Sequence, residues 1–189
     1  PGGQGPARER FYERVGGAEG AAFVTCALLT LQDSPVDGAY YYTADTNPFG
    51  LFTRHGVPRP TFHAFRAFRT LIETPDRLAT SGAQPGRLAV GAGMSRERDE
   101  VTVLIGNVGS AADQVLLRID GLSWDGEADF EVRRLDGDHA WGLLRAGRLP
   151  VGAPRMTVPL KAPAVGLIAV RRTLRDEPHP GVLGPKPRG

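Results

Sequence analysis

Lysine is nearly missing from this chain of 189 residues: Lys161 and Lys186 are the only two, and every other basic side chain is an arginine. With 21 acidic residues set against 23 basic ones, the formal net charge is only +2 although the pI is about 9.1. The arginines stand in small scattered groups, such as Arg66 and Arg69 or Arg133 and Arg134, with acidic residues nearby. A nucleic-acid footprint needs a basic stripe with interleaved aromatics, and aromatics make up 7% of the chain. Nucleic acid is therefore excluded as a partner.

Cysteine is limited to Cys26, which rules out an internal disulfide. Its place in an apolar helical run makes it a buried inert thiol rather than a nucleophile. That run, "GAAFVTCALLTL", is the most apolar in the chain and stops at Gln32, short of the ~18 to 20 residues a membrane span requires. No membrane insertion is expected. His55, His63, His139 and His179 have no ligand spacing, so no metal site is expected. The serines lie in loop-like contexts without a nucleophile elbow, and no phosphate loop or dinucleotide fingerprint occurs. No cofactor is expected. The chain opens on Pro1 without a signal-like segment, which suggests a processed chain or a piece of a longer one.

What is present divides at about residue 79. In residues 1–78, "PARERFYERVG" reads as a helix entered at Pro6 and stopped by Gly16-Gly17. "AEGAAFVTCALLTLQ" is apolar on nearly every side, with Val24, Leu28 and Leu31 at helical spacing. Such a helix packs against a sheet and against neighbouring helices together. "VDGAYYYTAD" reads as a strand, followed by a short hairpin turning at His55-Gly56. "TFHAFRAFRTLIE" reads as an amphipathic helix resting on Phe62, Phe65, Phe68 and Ile72. From 79 to 172 come short β-rich runs, "RLAVGA", "EVTVLIGN", "DQVLLRID", "ADFEVRRLD", "MTVPL" and "VGLIAVRR". Regular spacing without intervening helices predicts an antiparallel sandwich. Residues 173–189 are too rich in proline and glycine to fold alone and are expected to form a disordered tail.

The segment "LQDSPVDGAYYYTADTNPFGLFTRHGVPRPTFHAFRAF" resembles the end of a (β/α)8-barrel glycoside hydrolase of clan A. It is most similar to family 39, the β-xylosidase and α-L-iduronidase type. The resemblance covers roughly residues 5 to 75. It implies a fold class of α/β plus all-β: the last units of a TIM barrel followed by the sandwich. It also implies hydrolysis of O-glycosidic bonds by two glutamates, at the ends of the fourth and seventh barrel strands. Both positions would precede residue 1, and the chain has no Asn-Glu or Glu-Trp pair. No catalytic residue is therefore assigned within it, and the chain alone is expected to be inactive. The partner implied is a carbohydrate held by the complete barrel.

Loops after barrel strands build the substrate wall, so the resemblance points to Tyr42, Asp45, Asn47 and Phe49 as substrate-binding residues. Asp45 and Asn47 have an equally good local use in capping the "DTNP" turn. A different class of function is a non-catalytic carbohydrate-binding or interaction module formed by the sandwich. Trp124 and Trp141 would then be its stacking platform, although packing under loops explains both more simply.

Overall fold

The computed structural model describes residues 5–152 and 154–173. Apart from Thr173, the expected tail lies outside the described residues. Helix α1 (Pro6–Gly16) starts on a proline, whose missing N–H has no partner in a first turn anyway, and is closed by Gly17. Helix α2 (Ala18–Leu31) follows at once, bent 50° from α1. Among the described residues, no single helix is long and apolar enough to cross a membrane. Helix α3 (Pro60–Ile72) again opens on proline.

Among the described residues eight strands follow: β1 (Asp76–Leu78), β2 (Leu88–Met94), β3 (Glu100–Asn107), β4 (Gln114–Arg118), β5 (Glu127–Asp136), β6 (Gly142–Pro150), β7 (Arg155–Pro159) and β8 (Ala164–Arg172). Six form one antiparallel sheet in the order β1-β2-β3-β8-β5-β6, while β4 and β7 pair with each other. Alternation along the central strands explains the layering. In β3, Val101, Val103 and Ile105 join the core shared with the β4–β7 pair. Leu104, between them, joins the core shared with the helices. In β8, Ile168 and Val170 take the first side, Val165 and Leu167 the second. Strands buried on both faces read as continuous apolar runs, as "EVTVLIGN" does.

The expected sandwich is thus corrected in its proportions. The layer facing the large sheet on one side has only two strands, and its other side is occupied by α2 and α3. The resulting class is mixed α/β with antiparallel sheets. Residues before and after position 79 share this second core, and β1 enters the sheet from before it.

Two further expectations are corrected. "VDGAYYYTAD" is not a strand: it runs as an irregular segment with bends at Asp37 and Tyr42, and no ladder joins it to a neighbour among the described residues. Helix α3 rests only in part on its phenylalanine stripe: Thr61, Ala64, Ala67 and Leu71 are buried, Phe65 and Phe68 pack against the same core partly buried, and Ile72 is exposed. The larger rings straddle the contact, Phe62 against Phe52 and Phe65 against Tyr41. Strand β6 escaped the sequence reading because it is a solvent-facing edge with Leu143 and Leu144 exposed, so no apolar alternation marks it.

Small residues on both sides set the distance between helices and sheet. Helix α2 buries Ala18, Ala21, Ala22 and Thr25, and beneath the helical layer the sheet presents Gly91, Gly93 and Gly106. A Cβ at Gly106 would lie 2.8 Å from Cys26 Sγ and 3.1 Å from the Cys26 backbone nitrogen. The exposed Arg77–Asp33 pair, bidentate at 2.6 Å, also ties β1 to the end of α2. A surface pair of this kind contributes at most about 1 kcal/mol, so packing holds the joint.

Two predictions follow from this geometry. A Cβ at Gly93 would collide with the Thr74 carbonyl oxygen, which is backbone, whereas one at Gly91 meets mainly the movable end of Leu29 at 2.5 Å. In denaturant titrations, Gly93→Ala should lose about 3 kcal/mol and Gly91→Ala about 1 kcal/mol. Residues 79–172 expressed alone would bare Leu104, Leu135, Val165 and Leu167. Light scattering should show that piece aggregating more readily than the whole chain.

Candidate functional site

The loop between α2 and α3 gathers all four residues singled out in the sequence. Tyr42 is 76% exposed. Its ring lies 6.4 Å from that of Phe49, which also packs edge-on against Tyr12 at 5.1 Å and against Phe11 at 6.2 Å. Helix α1 therefore holds Phe49 in an aromatic cluster with one tyrosine left open to solvent. Asp45 accepts a hydrogen bond from the Thr46 amide through Oδ1 at 2.5 Å, and Asn47 Oδ1 accepts one from the Phe49 amide at 2.8 Å. Both side chains do cap the turn, as their chemistry favours.

The hairpin forms where the sequence placed it. The Thr53 amide donates to the Val57 carbonyl and the Gly56 amide to the Thr53 carbonyl, each at 2.8 Å. Gly56 has φ +76°, while a side chain at Gly50 would collide with the Asp45 carbonyl. Arg59 was not anticipated. Its amide donates to the Leu51 carbonyl at 2.8 Å, its Nε to the Phe52 carbonyl at 3.1 Å and its Nη1 to the Pro48 carbonyl at 3.4 Å. One side chain thus fixes the whole inner edge of the loop, and nothing local in "VPRPTF" marks it for that role.

Beside this loop lies an apolar cleft of about 460 Å³. Val15 of α1, Phe23, Ala27 and Leu31 of α2, and Tyr40 and Tyr42 of the segment after α2 are among the residues that line it. Strand-like alternation turns Tyr41 inward, where its ring meets Phe65 at 5.1 Å and its hydroxyl donates to the Phe49 carbonyl at 3.1 Å. Tyr40 and Tyr42 are left on the opposite side, Tyr40 fully exposed. The sequence signal for the cleft was the excess of apolar residues around α2, more than one buried face requires.

Elsewhere, the side chains act structurally. Cys26 donates to the Gly106 carbonyl at 3.2 Å, and burial pushes its thiol pKa up, which keeps it unreactive. Asp33 is held below the usual carboxylate range by its hydrogen bonds with Arg77. Trp124 is buried in the core with its Nε1 donating to the Arg98 carbonyl at 2.6 Å. Trp141 stacks on His63 with ring centroids 6.2 Å apart. Both tryptophans are used in packing, which removes the specific basis for a sugar-stacking platform on the sheet. Among the described residues, no three metal-binding side chains come together.

No protein-family model matches this sequence, and no curated protein does. Solved structures do. A glucosidase from Croceicoccus marinus superposes with a TM-score of 0.73 at 23% identity, over 83% of this chain and 42% of that one. A family 30 endoxylanase from Clostridium papyrosolvens gives 0.63 at 15% identity, over 82% and 39%. A family 44 xyloglucanase from Paenibacillus polymyxa gives 0.58 at 14%, over 82% and 29%. The chain has a glycoside hydrolase-like fold and spans less than half the length of each of these enzymes. The two neighbours whose family is named belong to families 30 and 44, not to family 39.

His63 provides a pH prediction at the α3–sheet contact. Burial lowers its pKa, and Arg66 lowers it further. The folded chain therefore resists protonation that the unfolded chain accepts near pH 6.5. Stability should be constant above that pH and decline as pH falls below it. His63→Gln should flatten that part of the curve in urea melts taken between pH 7.5 and 5.

Proposed function

We propose that this chain is the C-terminal part of a retaining glycoside hydrolase. In this reading residues 1–78 supply the last one or two units of a (β/α)8 barrel, with "GAYYYTA" as its eighth strand, and residues 79–172 form the attached β-rich domain. One observation carries it. A tyrosine-rich segment without a strand beside it among the described residues lies between two helices, in a chain that matches over four fifths of its own length only the lesser part of larger glycosidases.

The chemistry follows from the class. One carboxylic acid protonates the glycosidic oxygen while a carboxylate ~5 to 5.5 Å away attacks the anomeric carbon. Water then releases the sugar with the first group acting as base. Neither group belongs to this chain in the proposed alignment. Its own contribution is the pocket wall: Tyr42 offers an open aromatic face to the apolar side of a sugar ring. Asp45 and Asn47 offer carboxylate and amide groups to its hydroxyls, and Phe49, fixed by α1, supports Tyr42 from behind. The substrate proposed is an O-glycoside of the β-xyloside type, a choice resting on the motif around "GLFTRHGVPRP".

The test is an assay of the complete reading frame on aryl β-xylosides and β-glucosides, with NMR to follow the anomeric configuration of the released sugar. The expected result is hydrolysis with retention, none by the 189-residue chain alone, and a tenfold to hundredfold fall in kcat/KM, roughly 1.4 to 2.7 kcal/mol, for Asp45→Ala. Hydrolysis by the isolated chain, or none by the complete protein on any glycoside, would overturn the proposal.

A further inference from the structure

Arg59 stands at the wrong end of α3 for its charge. It occupies the N-cap, where the helix dipole disfavours a cation, and its side chain makes no capping hydrogen bond there. What it contributes lies in the neighbouring loop. Pro58 and Pro60 flank it, and a residue before proline is held extended, as its φ of −87° and ψ of 165° show. From that fixed backbone, Nε and Nη1 donate to the carbonyls of Phe52 and Pro48. Donors that carry charge make the stronger hydrogen bonds.

The guanidinium also has a seat. Gly16, the last residue of α1, leaves room for it: a Cβ there would lie 2.6 Å from Nη1 and 3.3 Å from Cδ of Arg59. Three segments distant in sequence therefore meet at one side chain: the end of α1, the loop backbone on either side of Phe49, and the start of α3. Phe49 itself is gripped by Phe11 and Tyr12 of α1, and Tyr42 leans on Phe49. We infer that Arg59 is a positioning residue of the glycosidase, holding the Tyr42–Phe49 wall in one fixed relation to α1 so that the sugar meets a preformed surface. The inference rests on the reading that this wall lines the substrate pocket. A preformed wall spares the substrate the entropy of ordering it. Its loss weakens the binding of ground state and transition state alike.

The experiment measures initial rates on aryl β-xylosides and β-glucosides for the complete protein carrying Arg59→Ser, Gly16→Ala or both, with folding checked by circular dichroism. Arg59→Ser removes the guanidinium and supplies the N-cap that α3 lacks, which supports the fold. Gly16→Ala keeps Arg59, favours the helix and displaces the guanidinium from its seat. For Arg59→Ser, KM should rise about tenfold or more with kcat changed less than roughly threefold, the mark of lost uniform binding. Gly16→Ala should raise KM about threefold, and the double variant should resemble Arg59→Ser alone, because both changes act on one contact. In the 189-residue chain, Arg59→Ser should speed amide exchange at Gly50, Leu51 and Phe52, which donate within the loop, and leave the interior of α3 unchanged.

The inference is overturned if KM is unchanged in Arg59→Ser, even with faster exchange in the loop. A fall in kcat at constant KM that tracks the folded fraction also overturns it, since a purely structural arginine gives that result. So does full additivity of Gly16→Ala and Arg59→Ser. Should Arg59→Ser fail to fold, Gly16→Ala decides alone: a raised KM supports the inference and an unchanged one sinks it. Any of these failures in an active enzyme leaves the glycosidase reading standing, whereas a complete protein without activity on any glycoside removes both.

Discussion

Everything in this molecule hangs on how closely α2 approaches the six-stranded sheet. Cys26 and Thr25 lie directly over Gly106, while Leu29 and Leu71 cover Gly91. A Cβ at Gly106 would press on Cys26, its backbone nitrogen included, and one at Gly91 would have to push Leu29 aside. Close approach of two backbones brings many weak dispersion contacts into range together. It also explains why α3 sits on Ala64 and Ala67. Phe65 and Phe68 flank that contact, partly buried against the same core. The same closeness buries Cys26 and makes its thiol a packing group.

From that constraint comes the division of α2 into two faces with different uses. Alanines and Thr25 serve the sheet, and Phe23, Ala27 and Leu31 are left to the cleft. The tyrosine segment divides by alternation in the same way: Tyr41 locks inward against Phe65 and the Phe49 carbonyl, while Tyr40 and Tyr42 face out. A glycosidase reading makes sense of both divisions. In it the outward tyrosine side becomes part of the sugar pocket and the outward side of α2 lies against the rest of the barrel. The loop that carries Asp45, Asn47 and Phe49 is tied down by Arg59 and by the aromatic rings of α1, so in that reading the pocket wall would need little ordering when substrate arrives.

Much of this was legible in the sequence, and the reasons are local. Pro6 and Gly17 bound α1, the periodicity of "AEGAAFVTCALLTL" marks α2, and the β-branched runs mark β2, β3, β5, β7 and β8. Each signal depends on residues within a few positions of one another. The hairpin at His55-Gly56 was readable for the same reason, as was the turn-capping chemistry of Asp45 and Asn47. Strand β6 was not, because an edge strand facing solvent has no buried face to impose alternation. Arg59 was hidden because its acceptors, the carbonyls of Pro48, Leu51 and Phe52, come within reach only after the loop has folded.

The sequence by itself determined the three helices, most of the strands that follow them and the hairpin turn, since these follow from short-range sterics and periodicity. Only the tertiary structure decided how deeply each stripe of α3 is buried, that the large sheet has helices on one face and two strands on the other, and that "AYYYTA" joins no ladder among the described residues. Those outcomes depend on the distance between backbones far apart in the chain. That distance is set where Gly106 meets Cys26 and where Asn107 donates through its Nδ2 to the Leu160 carbonyl at 2.7 Å across 53 residues. A pattern read along one segment contains no measure of how near its partner will come.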